Sequence, residues 1–392
     1  MTECRVAVVG AGPAGSATAL HLARAGCEVL LIEKEALPRA KVCGGGLVRR
    51  GRRHLPPDVV LPVERECRRV TMGFLDGAFA HTVERAEPLV TLTLRADLDA
   101  ALAKAAEASG ARFLPSTGVE AIERRADSVE LSTTRGPIHA QFVVLATGAT
   151  SPLVRAAGFT APLATIPALE AEVFVDEPTL ARFQDAARFD FGGVATGGYA
   201  WVFPKRAQLS CGLLSMRRGR VSLRERLDRY LAEVGVRAVR HVDVRGYVIP
   251  VRPRAGGLAR DRVLLVGDAA GLVDPVTAEG ISLALWSGRL AARALAEQSS
   301  PSGIERAYER SVRREIASEL RLARLLATIL YRRPRLARAM FQRDGVRLCE
   351  AMAGVTAGER TYASLLGNPL AWSKLVVGPV LSRRTRRAAS RS

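Results

Sequence analysis

The sequence predicts an α/β protein: a Rossmann-like dinucleotide-binding domain with an inserted antiparallel β-sheet domain and a C-terminal helical region. Three observations predict it. A β-branched run, Arg5–Gly10, leads directly into Gly10-Ala-Gly12-Pro13-Ala14-Gly15 and then an Ala/Leu-rich segment, Ser16–Ala25. Two further apolar runs far along the chain, Phe142–Gly148 and Arg262–Gly267, also end in glycine. Between them lie stretches of alternating polarity, and after them a segment with helical periodicity.

Arg5–Gly10 reads as a buried parallel strand, since a strand covered on both faces is apolar throughout. Gly10 permits the tight turn, Gly12 lets the backbone approach a pyrophosphate, and Gly15 lets helix and strand pack closely. Pro13 and Ala14 complete the turn, and the helix from Ser16 presents its unpaired N–H groups to the phosphates. Glu28–Glu33 is the next strand, and its terminal carboxylate is placed to accept hydrogen bonds from ribose hydroxyls and to repel a 2′-phosphate. Lys34, which follows it, is grouped with the cofactor contacts. A GxGxxG alone is a weak signal; set between strand and helix, with an acid at this distance, it is a strong one.

Phe142–Gly148 and Arg262–Gly267-Asp268 extend the same site, because ligands of open α/β sheets bind at the carboxyl ends of strands. These two late segments favour FAD over NAD. Asp268 is suited to accept from the ribityl chain, and equally to cap the helix expected after it. The FAD-binding domain is thus discontinuous, over 1–68, 95–158 and 259–300. The inserted parts, 69–94 and 159–258, form the β-rich substrate domain, with Ala168–Val175 and Tyr199–Leu214 as its clearest strands.

A polar linker, Gln298–Gly303, opens the C-terminal helical region, 301–392. Ile316, Leu320, Ala323, Ala327 and Leu330 recur at spacings of four and three and line one helix face, with Arg314, Arg321 and Arg324 off it. That helix is expected to stop near Arg333-Pro334, and Arg383–Ser392 is a short basic tail.

Composition narrows the function classes. The chain has 392 residues, 48% hydrophobic and 25% charged, as in folded rather than disordered proteins. No apolar run reaches the ~18 residues of a membrane-spanning helix. Met1–Arg5 leads straight into a strand, so no signal peptide is expected and a cytoplasmic location is. Six cysteines without a CxxC pair and five dispersed histidines point to no metal and no disulfide framework. The formal charge is +19, and residues 301–392 hold 19 Lys/Arg against 7 Asp/Glu. Such a surface attracts anionic lipid at the inner face of a membrane or an acidic redox protein. No recognition motif accompanies the charge, so nucleic acid is not expected.

Two motifs carry chemistry. Pro38-Arg-Ala-Lys41-Val-Cys43-Gly44-Gly45-Gly46 makes a loop able to lie against a flat cofactor, with a cysteine to contact the flavin or serve as an acid. The alternative for Cys43 is an inert packed thiol. Tyr199-Ala-Trp201-Val-Phe203-Pro204-Lys205 puts Tyr199, Trp201 and Phe203 on one strand face. This is an aromatic wall for an extended apolar substrate or, alternatively, ordinary sheet core.

With the nucleotide segments, the chain resembles the flavoproteins that include aromatic hydroxylases, flavin halogenases and geranylgeranyl reductases. With the cysteine loop and the aromatic strand, it resembles the geranylgeranyl reductase family over residues 1 to about 300. The resemblance implies that Gly267-Asp268 contacts the ribityl chain and that Pro275…Glu279-Gly280-Ile281 passes the isoalloxazine ring. It implies that Arg95 of Arg95-Ala-Asp-Leu-Asp99 lies by the cofactor, a helix-start salt bridge being the alternative. Lys41, Cys43 and Gly44 would lie beside the flavin, with Cys43 catalytic. Gly45, Tyr199, Trp201, Phe203 and Pro275 would meet an isoprenoid. The implied reaction is saturation of an alkene in a polyprenyl lipid or polyprenyl diphosphate by hydride from reduced flavin. Transient NADPH or a small redox protein is the donor, since no second dinucleotide motif is present. Two other readings stand beside it: a flavin monooxygenase on a small aromatic or polyketide, and a non-enzymatic flavin-binding protein at the membrane.

Overall fold

A computed structural model describes residues 2–193, 195–216, 222–237 and 239–366. The basic tail Arg383–Ser392 and most of the apolar stretch Leu365–Leu381 lie outside the described residues. The chain divides into two compact units, Met1–Glu64 with Leu92–Thr165 and Val248–Leu320, and Arg65–Thr91 with Ile166–Tyr247 and Arg321–Ser392.

The first unit is built on a sheet whose central strand is Thr2–Val9. It pairs in parallel with Ile138–Leu145 on one side and Val29–Ile32 on the other. Val263–Leu265 and Arg112–Leu114 extend the parallel set outward. Two antiparallel strands, Val119–Arg124 and Val129–Thr133, fold against Ile138–Leu145. Val6, Ala7, Val8, Leu30, Leu31, Val143 and Val144 are fully buried, as expected where helices cover both sheet faces.

Helix Pro13–Arg24 starts with proline at its first position, where the missing N–H costs no hydrogen bond. Helix Ile281–Glu297 crosses it at very close range. A methyl group on Gly288 would lie 2.5 Å from the Ala14 carbonyl oxygen and 2.9 Å from Thr18 Oγ1, so glycine there sets the approach. Helix Pro301–Val312 also belongs to this unit: buried Tyr308 donates its hydroxyl proton to the Leu265 carbonyl oxygen at 2.5 Å.

One local expectation is corrected. After Gly267-Asp268 the chain makes only a single 3₁₀ turn, Gly267–Ala270, and the helix begins at Ile281. Asp268 therefore caps no helix. The turn ends at Gly271, φ +75, where a side chain would strike the Arg252 carbonyl oxygen at 2.3 Å, and the backbone must reverse.

The second unit holds a seven-stranded sheet in the order His241–Pro250, Thr165–Phe174, Leu209–Leu214, Ala195–Pro204, Ala187–Gly192, Arg69–Phe74, Ala80–Glu84. From Thr165–Phe174 to Ala80–Glu84 neighbouring strands are antiparallel except Ala187–Gly192 and Arg69–Phe74, which run parallel. Parallel neighbours need a long crossover, and here the intervening chain passes through the first unit. One face packs on helix Leu223–Glu233 through Ala200, Val202, Cys211, Leu227 and Tyr230.

The stripe Ile316, Leu320, Ala323, Ala327, Leu330 is buried throughout, as its spacing requires. Helix Ser318–Arg332 ends two residues before Pro334, which opens a new helix, Pro334–Ala357. Among the described residues no helix is long and apolar enough to cross a membrane, and no cluster of His, Cys, Asp and Glu is placed to hold a metal ion.

Candidate flavin site and aromatic face

The glycine turn after Thr2–Val9 is shaped by three different requirements. Gly10 has φ +103, and a methyl group there would lie 2.6 Å from the Ala146 carbonyl oxygen. A methyl group on Gly15 would lie 1.8 Å from the Gly10 carbonyl oxygen, so helix and strand meet at backbone contact. Gly12 differs: its nearest neighbours would be Arg39 and Arg95 guanidinium nitrogens at 3.9 and 4.0 Å and an Asp99 oxygen at 4.0 Å. The space before this helix N-terminus is thus clear, and bounded by two cations.

Those cations share a network. Glu33 is buried at the end of Val29–Ile32; its Oε2 accepts from the Ala11 N–H at 2.9 Å and from Arg39 at 3.2 Å, and its Oε1 from the Glu35 N–H at 3.2 Å. Arg39 reaches on to Asp99 at 3.1 Å. Arg95 grips the same carboxylate through Nε and Nη2 at 3.0 and 2.9 Å and hydrogen-bonds Cys43. Burial works against the Arg95 charge, but Asp99 and Cys43 outweigh it and hold the guanidinium firmly protonated.

Cys43 is half-buried, and its Sγ accepts from the Gly45 N–H at 3.4 Å. Gly45 has φ +73 and lies against Thr93, where a side chain would meet the Thr93 carbonyl oxygen at 1.9 Å. Thr93 returns its N–H to the Gly45 carbonyl oxygen at 2.9 Å, which pins the cysteine loop. Lys41 and Arg95 both act on the carboxyl of Asp268, opposing the upward push that burial gives it. Gly280 approaches the same carboxyl: a methyl group there would lie 3.4 Å from Asp268 Oδ1. Ile281 and Pro275 are buried on either side of that loop.

The structure therefore gathers Gly10, Gly12, Pro13, Ala14, Gly15, Glu33, Lys41, Cys43, Arg95, Gly267, Asp268 and Gly280 into one continuous neighbourhood of the first unit. Gly148, φ +78, sits just past Ile138–Leu145 and follows Thr147, whose Cα would lie 3.5 Å from a methyl group on Gly10. Lys34 is not gathered in; its side chain is exposed and pairs with Glu35 at 3.6 Å. Sequence reading missed Arg39 and Asp99 as functional residues. Both stand inside motifs already singled out, and the i,i+4 spacing of Arg95 and Asp99 was the available signal.

In the second unit, register places Tyr199, Trp201 and Phe203 on the sheet face opposite helix Leu223–Glu233. Phe189 and Phe191 of the neighbouring strand share this face. Trp201 is 6.0 Å from Tyr199 and 6.2 Å from Phe203 between ring centroids, and Phe189 meets Tyr199 and Phe203 edge-on at 5.6 and 5.3 Å. The indole lies across Gly212, where a methyl group would come within 2.2 Å of the ring. Its Nε1–H is buried without a hydrogen-bond partner among the described residues. Beyond Gly212 and Ser210 in the same rows stand Glu170 and Glu172. Ser210 donates to Glu170 at 2.8 Å, and buried Lys205 pairs with Glu172, so the aromatic face ends in a polar edge.

Residues 3–317 match the model of the FAD binding domain family. The chain is 32% identical over 354 residues to the menaquinone reductase of Mycobacterium tuberculosis, covering 82% of this chain and 85% of that one. It is 32% identical over 317 residues to digeranylgeranylglycerophospholipid reductase 2 of Methanothermobacter thermautotrophicus, covering 74% and 77%. It belongs to the geranylgeranyl reductase family of FAD-binding flavoproteins. A geranylgeranyl bacteriochlorophyll reductase-like protein of Thermoplasma acidophilum has the same fold, with TM-score 0.75 and 24% identity over 83% of this chain and 87% of that one.

The protein is thus an FAD-dependent oxidoreductase, and its residues fit the cofactor. The clear space at Gly12 between two guanidiniums suits a diphosphate. Thr147 Oγ1, buried beside Gly10 without a partner among the described residues, is a polar atom that only a bound group or water would satisfy.

Proposed function

We propose that this protein saturates carbon–carbon double bonds of a polyprenyl chain, with reduced FAD, when bound, supplying the hydride. The observation that carries the proposal is Cys43, held by Gly45 and Arg95 within the dinucleotide neighbourhood, in a chain whose other unit presents the Tyr199–Trp201–Phe203 face. An isolated alkene carries no charge and is not activated by a carbonyl, so positioning and exclusion of water are the protein's contribution.

In this proposal Gly12, Arg39 and Arg95 hold the diphosphate, Glu33 orients the adenosine ribose, and Lys41, Gly44, Asp268, Gly280 and Ile281 fix the flavin end. Cys43 Sγ would deliver a proton to one alkene carbon, its neighbour being the one that takes the hydride. Tyr199, Trp201 and Phe203 hold the isoprenoid, with Gly45 and Pro275 completing its contacts. NADPH docking transiently, or a small acidic redox protein, supplies the electrons.

Flavin monooxygenases share this fold, so the fold does not choose between reduction and oxygenation. The test is the product mass after the reduced protein is incubated anaerobically with a polyprenyl lipid, followed by a parallel incubation in air with small aromatic compounds. Gain of two hydrogens supports the reductase. An added oxygen overturns it in favour of a monooxygenase, and unchanged compounds in both arms favour a flavin-binding protein without this activity.

A further inference from the structure

Helix Ser318–Arg332 has a second stripe, opposite in character to its buried one. Arg321, Leu325, Thr328 and Arg332 follow one another at spacings of four, three and four, and all four are exposed. Leu325 is 59% exposed, one of few large apolar side chains so open. Arg333 and Arg335, at the junction with helix Pro334–Ala357, are exposed as well. None of Arg321, Arg332, Arg333 and Arg335 has an ion-pair partner among the described residues. The acids of the second helix are already engaged, Asp344 by Arg343 and Glu350 by Arg85. The charge on this face is therefore uncompensated within the described protein.

We infer that this stripe is a docking surface for an anionic phospholipid leaflet. Guanidinium groups form paired hydrogen bonds with phosphate oxygens, and a leucine set between them enters the boundary between headgroups and acyl chains. A straight helical stripe lies along a plane. An exposed leucine inside the cationic patch adds an apolar term that a purely electrostatic contact with a soluble acidic partner does not need. Residues 367–392 add six Lys/Arg and no Asp/Glu to the chain, which strengthens attraction to the same leaflet. This inference does not depend on which lipid the enzyme reduces.

The test is flotation of the full-length FAD-loaded protein with phosphatidylcholine vesicles, with and without phosphatidylglycerol. Recovery is expected only with the anionic vesicles and is expected to fall as salt rises. Each arginine near an anionic surface contributes roughly a fivefold gain, so R321Q/R332Q/R333Q is expected to bind about a hundredfold more weakly. Leu325→Asp is expected to weaken binding further; the repulsion of its added carboxylate is screened as salt rises, while the loss of the apolar contact persists at high salt. Both variants alter exposed side chains and are expected to keep bound FAD and the wild-type Tm. Should either fail to fold, the wild-type series in lipid composition and salt decides alone. Equal recovery with phosphatidylcholine alone overturns the inference, as does an unchanged R321Q/R332Q/R333Q. Retention on duplex DNA or polyglutamate as tight as on vesicles, with Leu325→Asp without effect, also overturns it, since the patch is then a general polyanion binder.

Discussion

Arg95 and Asp99, one turn apart on helix Arg95–Ala108, share two hydrogen bonds of 3.0 and 2.9 Å, and the same buried carboxylate receives Arg39 at 3.1 Å. The Asp99 carboxylate thus joins two guanidiniums, both of which border the space at Gly12. Arg39 continues to Glu33 and Arg95 to Cys43, so a single network connects the carboxylate after the second strand with the cysteine loop.

Asp99→Asn is expected to destabilise the apoprotein by about 3–5 kcal/mol, because buried Arg95 loses its paired carboxylate and Arg39 keeps only Glu33. Urea unfolding measures it. Asp99→Glu, which keeps the charge, is expected to recover part of the loss. A loss below about 1 kcal/mol would place the pair among solvent-screened surface bridges.

Two glycines of one turn are expected to fail differently. Gly15→Ala forces a methyl group to 1.8 Å from the Gly10 carbonyl oxygen and is expected to lower the Tm of the apoprotein sharply. A Cβ at Gly12 meets nothing closer than 3.9 Å, so Gly12→Val is expected to lower the apo Tm far less than Gly15→Ala while abolishing FAD binding, because it fills the space a diphosphate needs. Apo Tm and flavin titration together separate the two. Equal effects of both on the apo Tm would refute the assignment of Gly12.

Cys43→Ala is expected to keep FAD and still accept electrons, yet to reduce a polyprenyl substrate about 10²–10⁴-fold more slowly if Sγ supplies the proton. Flavin absorbance and flavin-reduction rate on the same sample guard against a disturbed loop. A loss of only a few-fold means that Cys43 merely packs against Gly45 and Arg95.

Gly212→Ala is expected to cost about 1–3 kcal/mol of stability, because the new methyl group meets the Trp201 ring at 2.2 Å and the Leu169 carbonyl oxygen at 2.6 Å. The indole must tilt, so the isoprenoid KM is expected to rise while FAD affinity stays unchanged. Restored KM in Gly212→Ala/Trp201→Phe would trace the defect to the indole.

His54 stacks on Trp286 at 4.7 Å, and burial, then Arg289, Arg50 and His21, push its pKa from 6.5 down to about 3. The folded state therefore keeps the imidazole neutral while the unfolded chain protonates. The contribution to stability is complete above pH 6.5 and falls away toward pH 3. The slope is at most about 1.4 kcal/mol per pH unit. Between pH 7 and 5 wild type is expected to lose about 2 kcal/mol more than His54→Gln by urea unfolding. Parallel acid limbs for the two proteins would contradict this.

Reading the chain alone located the nucleotide turn because Gly10, Gly12 and Gly15 answer local demands: a positive φ, a clear approach and a helix pressed on its own strand. It located the buried stripe of Ile316–Leu330 and the shared face of Tyr199, Trp201 and Phe203, because helical and strand periods are fixed by backbone geometry. The turn at Gly267–Ala270 was less legible. Gly-Asp followed by small residues suits a helix start, and what stops it is Gly271 meeting Arg252, a contact between residues distant in sequence.

The FAD-binding family, the α/β class and the residue types of the candidate site were therefore legible in the chain alone, since each rests on local spacing. It took the folded chain to show that Arg39 and Asp99 join Glu33 to Cys43, that Gly288 sets the contact of two helices, and that Arg321, Leu325 and Arg332 stay open while residues of the same helix are buried. The physical reason is that such properties depend on which side chains share a space. Charge pairing and burial are sums over neighbours, and strands such as Arg69–Phe74 and Ala187–Gly192 become neighbours only after more than a hundred intervening residues have folded.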